Sequence, residues 1–175
     1  IYEKGKQYDK ALDYYEQALE LGRKLGKEST IATYLGNIGE IYRARDQYDQ
    51  ALDYFEQALE LNRKLGKEAR IAADLNGIGT LYVDQGQYDK ALVVYEQVLT
   101  LVRKLGEQDS IATSLHNIGD LYYTQKEYHE AIPHFVESVE IKERLRKTAT
   151  GDVRRDYLAS QIYTYQYLTS SYLRI

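Results

Sequence analysis

The stretch that decides the fold occurs twice, as YDKALDYYEQALELGRKLGK at residues 8–27 and as YDQALDYFEQALELNRKLGK at residues 48–67. The two copies differ only at the position pairs 10/50, 15/55 and 22/62. The same interval of forty residues continues along the chain in Tyr8, Tyr48, Tyr88 and Tyr128, and again in Ala11, Ala51, Ala91 and Ala131. A fixed period of this length is the signature of a repeat array.

Each forty-residue unit contains two helical patterns joined by a short polar link. On the first pattern of the second unit, apolar residues are spaced at four, three and four, which places them on one face of a helix: Ile31, Leu35, Ile38 and Tyr42. The second pattern has a similar rhythm, formed by Tyr48, Ala51, Leu52, Phe55, Ala58, Leu59 and Leu65. Gly66 fits the left-handed position that ends a helix. Ser29 and Asp109 stand just before first helices, where a side-chain oxygen can cap free N–H groups.

These patterns predict helices at 8–25, 30–45, 48–65, 70–85, 88–105, 110–125, 128–146 and 152–174, with residues 1–4 as the end of an incomplete leading helix. They divide the chain into an incomplete first repeat at 1–27, three repeats at 28–67, 68–107 and 108–147, and an unpaired C-terminal helix at 150–175. Glycine recurs on the first helices as Gly39, Gly79 and Gly119. Because glycine inside a helix costs about 1 kcal/mol relative to alanine, this recurrence indicates close packing.

The composition excludes several classes of function. Hydrophobic residues make up 43% and charged residues 29% of the chain, which is typical of a soluble folded protein. The net charge of −4 is mixed along the chain, so we expect no nucleic-acid binding. We also expect no membrane span, since no apolar run approaches the roughly 20 residues that cross a bilayer. The chain begins inside a repeat and without methionine, so we interpret it as a fragment of a cytoplasmic protein whose missing N-terminus leaves the compartment open.

No residue pattern points to catalysis, a metal or a cofactor. Cysteine is absent, and no glycine loop suited to phosphate is present. The segment HEAIPH resembles a zinc-protease motif, but His129 and His134 are five residues apart, about 140° around a helix, instead of four apart on one face. A basic cluster is balanced by neighbouring acids, and we interpret it as a solvated turn: Arg144, Arg146, Lys147, Arg154 and Arg155.

The repeat pattern resembles the tetratricopeptide repeat (TPR) family, in its forty-residue, kinesin-light-chain-like form. Propeller, HEAT and armadillo units have similar periods, but the pattern here carries no strand signal and matches the TPR positions. In the second unit those positions are Leu35, Ile38, Gly39, Tyr42, Tyr48, Ala51, Phe55 and Ala58. The resemblance implies an all-α fold of tandem antiparallel helix pairs, stacked in a right-handed superhelix.

The resemblance also implies that the first helices line a concave face that binds peptides. By position, that face comprises Thr33, Asn37, Glu40, Arg43, Asn76, Thr80, Asp84, Thr113, His116, Asn117, Asp120 and Tyr123. Asn37 and Asn117 each offer a donor and an acceptor to an extended peptide backbone. Arg43 is the one basic residue on this face, so we expect no clamp for a C-terminal carboxylate. A neutral or basic segment is the expected partner.

The last segment, TATGDVRRDYLASQIYTYQYLTSSYLRI at 148–175, departs from the period. It fits the first-helix pattern in a shifted register, with Tyr165, Leu168 and Tyr172 in the apolar positions. It resembles the segment that precedes the caspase-like domain of bacterial TPR–CHAT proteins. Two functions therefore stay open, a peptide-binding adaptor and a regulatory arm that docks on its own effector domain. Self-association through exposed array ends is a third reading.

Overall fold

The computed structural model describes the backbone of residues 2–148 and 152–175 and the side chains of residues 7–148 and 162–175. These residues form eight helices and no strand: α1 (Tyr2–Lys24), α2 (Glu28–Arg43), α3 (Tyr48–Lys64), α4 (Glu68–Asp84), α5 (Tyr88–Leu105), α6 (Gln108–Thr124), α7 (Tyr128–Thr148) and α8 (Asp152–Tyr172). Links of two to four residues join successive helices up to α7, as expected for antiparallel neighbours. The predicted all-α class of tandem helix pairs is confirmed.

The chain divides into two compact units, residues up to 91 and residues from 92 onward. In the first unit, α2 packs against α1 and α3, and α4 packs against α3 and α2. In the second unit, α7 packs against α6 and α8, and α8 also contacts α6.

The helices from α1 to α6 end in the same backbone motif. At the end of α3, the N–H of Lys67 donates to the carbonyl of Asn62 at 3.0 Å, and the N–H of Gly66 donates to the carbonyl of Arg63 at 3.1 Å. This Schellman motif needs one residue with positive φ, and Gly66 supplies it at 64° as predicted. The equivalent residues of the other links are Gly26, Asp46, Gly86, Gly106 and Lys126.

The capping roles predicted for Ser29 and Asp109 are wrong. Helix α2 begins at Glu28 and α6 at Gln108, so both residues lie inside their helices. The reason is the tightness of the link: Lys27 adopts φ −87° and ψ 71°, and the N–H of Glu28 donates to the carbonyl of Gly26 at 3.1 Å. Such an inverse γ-like turn starts the helix before Ser29 is reached.

The break expected between residues 4 and 8 is also absent. Helix α1 runs without interruption from Tyr2 to Lys24. The later links turn at positions 46, 86 and 126, which correspond to position 6. A continued helix satisfies the backbone groups of this segment internally.

The predicted close packing at the glycines has a structural cause in two phenylalanine rings. Phe55 is 2% exposed and lies between α2 and α4. A Cβ built on Gly39 would be 3.0 Å from this ring, and one on Gly77 would be 2.8 Å from it. In the second unit, a Cβ on Gly119 would be 2.7 Å from the ring of Phe135. Gly39 and Gly119, two of the three predicted glycines, therefore leave room for an aromatic ring, as does Gly77, which the period did not single out. Close packing at Gly79 stays a prediction.

Candidate functional site

In the first unit, α2 and α4 border a cleft of about 140 Å³. Three of the residues predicted to bind a partner line it, namely Thr33, Asn37 and Glu40. The remaining lining residues are Ala32, Gly36, Phe55, Asn62, Arg70, Ala73 and Asp74. We call this the Asp74 cleft, after the carboxylate that borders it.

Asp74 is a buried acid held by one hydrogen bond. It is 8% exposed, and Nδ2 of Asn62 donates to its Oδ2 at 2.7 Å. Burial raises the pKa of Asp74 to about 6, although the hydrogen bond from Asn62 and the charge of Arg70 act in the opposite direction. The cleft thus contains a carboxyl group that titrates much closer to neutral pH than an exposed aspartate.

Arg43, the predicted basic residue of this face, is held between two acids. Its guanidinium donates to Oδ2 of Asp84 at 2.7 Å and to Oε2 of Glu40 at 3.1 Å. Burial disfavours the charged form of Arg43, but the hydrogen bonds and charges of Asp84 and Glu40 outweigh burial and raise its pKa. These contacts join α2 to α4, and two negative charges surround one positive charge.

The other predicted residues of the first unit are polar, and they differ in whether their side chains already form hydrogen bonds within the protein. Asn37 is half-buried, and no group in the described residues hydrogen-bonds to its side-chain amide. Thr33 donates to the carbonyl of Ser29 at 3.1 Å, and Thr80 donates to the carbonyl of Asn76 at 2.9 Å. Asn76 and Thr80 lie on α4 but do not line the Asp74 cleft.

In the second unit, α8 packs over part of the predicted face on α6. The ring of His116 lies 5.6 Å from that of Phe135 and 6.0 Å from that of Tyr167, and its Nδ1 is 2.9 Å from Oγ1 of Thr164. Burial lowers the pKa of His116, against the charge of Asp120, which raises it. The neutral imidazole is therefore the favoured form.

Two more predicted residues of α6 contact α8. The negative charge of Asp120, with a hydrogen bond between the two side chains, raises the pKa of the Tyr167 phenol. The ring of Tyr123 meets that of Tyr167 edge-on at 4.9 Å, and Arg174 lies over the Tyr123 ring at 5.6 Å. The last two predicted residues of α6 are Thr113, which donates to a carbonyl of its own helix at 2.9 Å, and Asn117, which is half-buried.

The contacts of α8 follow the shifted register. In this register, Thr164 and Tyr167 of α8 are equivalent to Asp74 and Gly77 of α4. Tyr167 packs against Phe135 of α7, just as Gly77 lies next to Phe55 of α3. Tyr165 and Tyr172, the expected apolar positions, are 42% and 55% exposed, since no later helix in the described residues covers them.

Asn62 and Asp74, which pair in the cleft, are not among the residues predicted from the sequence. Both positions vary from repeat to repeat. Positions equivalent to 62 are Gly22, Val102 and Lys142, and positions equivalent to 74 are Tyr34 and Ser114. Because no residue recurs at either position, the period gave no signal that pairs Asn62 with Asp74.

Neither a metal site nor a membrane-spanning helix is found in the described part of the chain. No group of three or more histidines and acids there could hold a metal ion, and His134 instead stacks on Tyr122 at 5.6 Å. None of the described helices is long and apolar enough to cross a membrane. The side chains of Arg154 and Arg155, part of the basic cluster, lie outside the described residues.

Residues 1–64 and 70–144 match the tetratricopeptide repeat. The chain belongs to the TPR family. The predicted membership of the TPR family is confirmed. Because TPR arrays are protein–protein interaction modules, the predicted general class of function is supported as well. No curated protein gave a significant sequence match.

Solved TPR-like structures share the fold. BtubC (BKLC) from P. vanneervenii is 25% identical with a TM-score of 0.73, over 86% of this chain and 62% of that protein. A putative kinesin light chain repeat protein from Podosopora anserina is 20% identical with a TM-score of 0.69, over 99% and 84% of the two chains. A Rap protein complexed with Competence and Sporulation Factor is 24% identical with a TM-score of 0.73, over 98% and 49%. This TPR chain thus spans under two thirds of BtubC and about half of the Rap protein.

Proposed function

We propose that this TPR chain is a non-catalytic module that binds an extended segment of another protein on its first helices. The single observation that carries the proposal is the Asp74 cleft, an open polar cavity between α2 and α4 next to the unpaired amide of Asn37. An unpaired, half-buried amide can pair with a peptide backbone as both donor and acceptor. On α6, Thr113, His116, Asn117, Asp120 and Tyr123 are proposed to contribute within their own unit.

The charges of the face favour a neutral or basic partner. Glu40 and Asp84 more than neutralise Arg43, and Asp74 adds a further carboxyl group. A clamp for a terminal carboxylate would need cations that are free to bind it, and Arg43 is already paired. The Rap structure with its bound factor supports the idea that a fold of this kind holds a partner.

The test is a selection of random dodecapeptides on the purified chain, followed by anisotropy measurements with individual labelled peptides. We expect Asn37→Ala to weaken binding about tenfold, as for the loss of one or two hydrogen bonds. The combined change with Asn117→Ala should weaken it at least as much. The matched control is Gln57→Ala, which removes an exposed amide from α3 and should leave the affinity unchanged.

Two results would contradict the proposal. One is selected peptides whose affinity is the same for the wild type and the combined asparagine variant. The other is a consistent preference for acidic peptides over basic ones, because the charges of the face oppose it.

A regulatory arm that docks on its own effector domain is the second candidate. The observation that favours it is a group of exposed apolar side chains near the end of α8: Ile162 on the helix is 54% exposed, and Leu173 and Ile175, which follow it, are 82% and 57% exposed. A caspase-like effector, as the C-terminal resemblance suggests, could cover such a surface. Cross-linking within the full-length protein would reveal contacts between α8 and the effector. Self-association through the array ends stays a prediction.

A further inference from the structure

The Asp74 cleft differs from its counterpart in the second unit. Gly36 lies eighty residues before His116, at the equivalent place in the repeat. In the second unit, the imidazole of His116 occupies the space that is open at Gly36. Its Nδ1 lies 2.9 Å from Oγ1 of Thr164, the residue equivalent to Asp74. At Gly36 there is no side chain, and a Cβ built there would be 3.6 Å from Oδ1 of Asp74. The cavity is therefore open beside a carboxylate oxygen.

The hydrogen bonds of Asp74 are incomplete. Asn62 donates to Oδ2, whereas no group in the described residues donates to Oδ1, which borders the cleft. A buried carboxylate with so few partners is unfavourable for folding. The equivalent residues Tyr34, Ser114 and Thr164 are uncharged, so the helix packing does not require an acid at this place. The carboxylate is better explained by a ligand.

The cleft is suited to a cation. Its charged lining consists of Asp74, Glu40 and Arg70, with Arg70 exposed at the mouth. Glu40 is ion-paired with Arg43, which is also paired with Asp84, so three acids and two bases leave a net negative charge in and next to the cleft. A volume of about 140 Å³ is close to that of the roughly 150 Å³ cavity that holds a benzene molecule. One side-chain end of moderate size therefore fits.

The available oxygen distinguishes lysine from arginine. A guanidinium prefers both oxygens of a carboxylate, but Asn62 already occupies Oδ2. An ammonium group is a compact charge that can use one oxygen and direct its other donors elsewhere. The side chains of Asn37 and Glu40 line the same cleft and offer acceptors. These features match a lysine side chain.

We propose that the Asp74 cleft is a specificity pocket for one lysine side chain of the bound segment. This inference rests on the proposed peptide-binding function and adds to it a residue preference. Burial raises the pKa of Asp74 to about 6, so the negative charge that attracts the ammonium group is present at pH 7.5 and mostly lost at pH 5. Glu40 and Arg70 are the other charged groups that face the cleft.

The experiment compares four pools of acetylated and amidated dodecapeptides that carry neutral random positions and one fixed central residue. The fixed residue is lysine, arginine, norleucine or glutamate, and each pool is measured on the whole chain by competition anisotropy. At pH 7.5 we expect the lysine pool to bind about tenfold more tightly than the norleucine pool, the low end for a charge-assisted hydrogen bond. This preference should shrink towards pH 5.

Two variants locate the preference. Asp74→Asn keeps the size of the side chain and removes its charge, and Gly36→Ala adds a methyl group in ordinary contact distance of Oδ1. Both should reduce the preference for lysine to about twofold or less, within the effect of an exposed ion pair. Circular dichroism checks the fold, and if Asp74→Asn fails to fold, Gly36→Ala decides the question.

The inference is overturned if lysine and norleucine pools bind equally, if arginine binds best, or if the lysine preference survives in both variants. Failure of the proposed function has a different appearance. In that case no pool binds, or Asn37→Ala leaves the binding of every pool unchanged. Either result removes the peptide-binding function, and the lysine pocket with it.

Discussion

The ring of Phe55 leaves no room for a side chain at Gly77: a Cβ there would lie 2.8 Å from Cε1 of the ring. Real Cβ atoms do not approach carbon so closely, and Phe55 is too buried to move aside. Because a Cβ on Gly39 would also lie 3.0 Å from Cδ1 and Cε1 of the same ring, one aromatic side chain fixes the approach of both α2 and α4.

We therefore expect Gly77→Ala to destabilise the chain by about 1–2 kcal/mol, since the strain of overpacking exceeds the gain in helix propensity. The matched control is Gly36→Ala in α2, where a methyl group meets nothing closer than 3.6 Å. The control should gain about 0.5–1 kcal/mol. Urea unfolding of both variants measures the difference, and equal effects at the two glycines would contradict the packing account.

Asp74 should make the chain more stable as the pH falls. Its pKa is raised in the folded state to about 6 from 3.8, so the folded protein binds the proton more tightly than the unfolded chain does. The penalty of the buried charge is full above pH 6 and is removed between pH 6 and pH 4. We expect Asp74→Asn to stabilise the chain more at pH 7.5 than at pH 4, by about 2–3 kcal/mol.

The comparison of free energies of unfolding at several pH values checks this, because the other carboxyl groups are common to both proteins. If the free energies of unfolding of the wild type and the variant differ by the same amount at every pH, the pKa of Asp74 is not raised in the folded state.

His116 should make the chain less stable as the pH falls, the opposite of the effect expected for Asp74. Burial lowers its pKa in the folded state below the 6.5 of an exposed histidine. Its neutral form therefore contributes stability above pH 6.5, and this contribution is lost as the pH falls towards the folded-state pKa. Relative to His116→Gln, the wild type should lose stability on acidification from pH 7.5 to 5.5. His129→Gln, an exposed histidine on α7, controls for the loss of a surface imidazole.

Lys126 is a site of backbone strain. It closes the link after α6 with φ 65°, a conformation that side chains other than glycine adopt at a cost of about 1–2 kcal/mol. Lys126→Gly should stabilise the chain by about 0.5–1 kcal/mol, a rise of a few degrees in Tm, after the entropy of glycine in the unfolded chain is subtracted. Lys126→Ala keeps the Cβ and should give no such gain. Gly86→Ala, at the equivalent position, should lower Tm.

Most helix positions could be predicted from the sequence, because the apolar spacing and the link residues act locally. Predictions failed where a local rule had competition. Ser29 looked like a cap, but the tight turn at Lys27 starts the helix earlier. The break before Tyr8 was expected from the period, yet the structure has one continuous α1. The ion pair between Arg43 and Asp84 is not predictable from the repeat pattern, because the two residues are forty-one apart in sequence and lie on different helices.

The sequence by itself determined that this is a TPR array, how its helices are divided and where a glycine ends a helix. A forty-residue period encodes those features within each unit, and they depend on neighbours a few residues apart. Only the tertiary structure decided that Gly36, Asn62 and Asp74 form one cleft, because these residues lie on three helices that meet when α2, α3 and α4 pack. The burial that raises the pKa of Asp74 exists only in that packing.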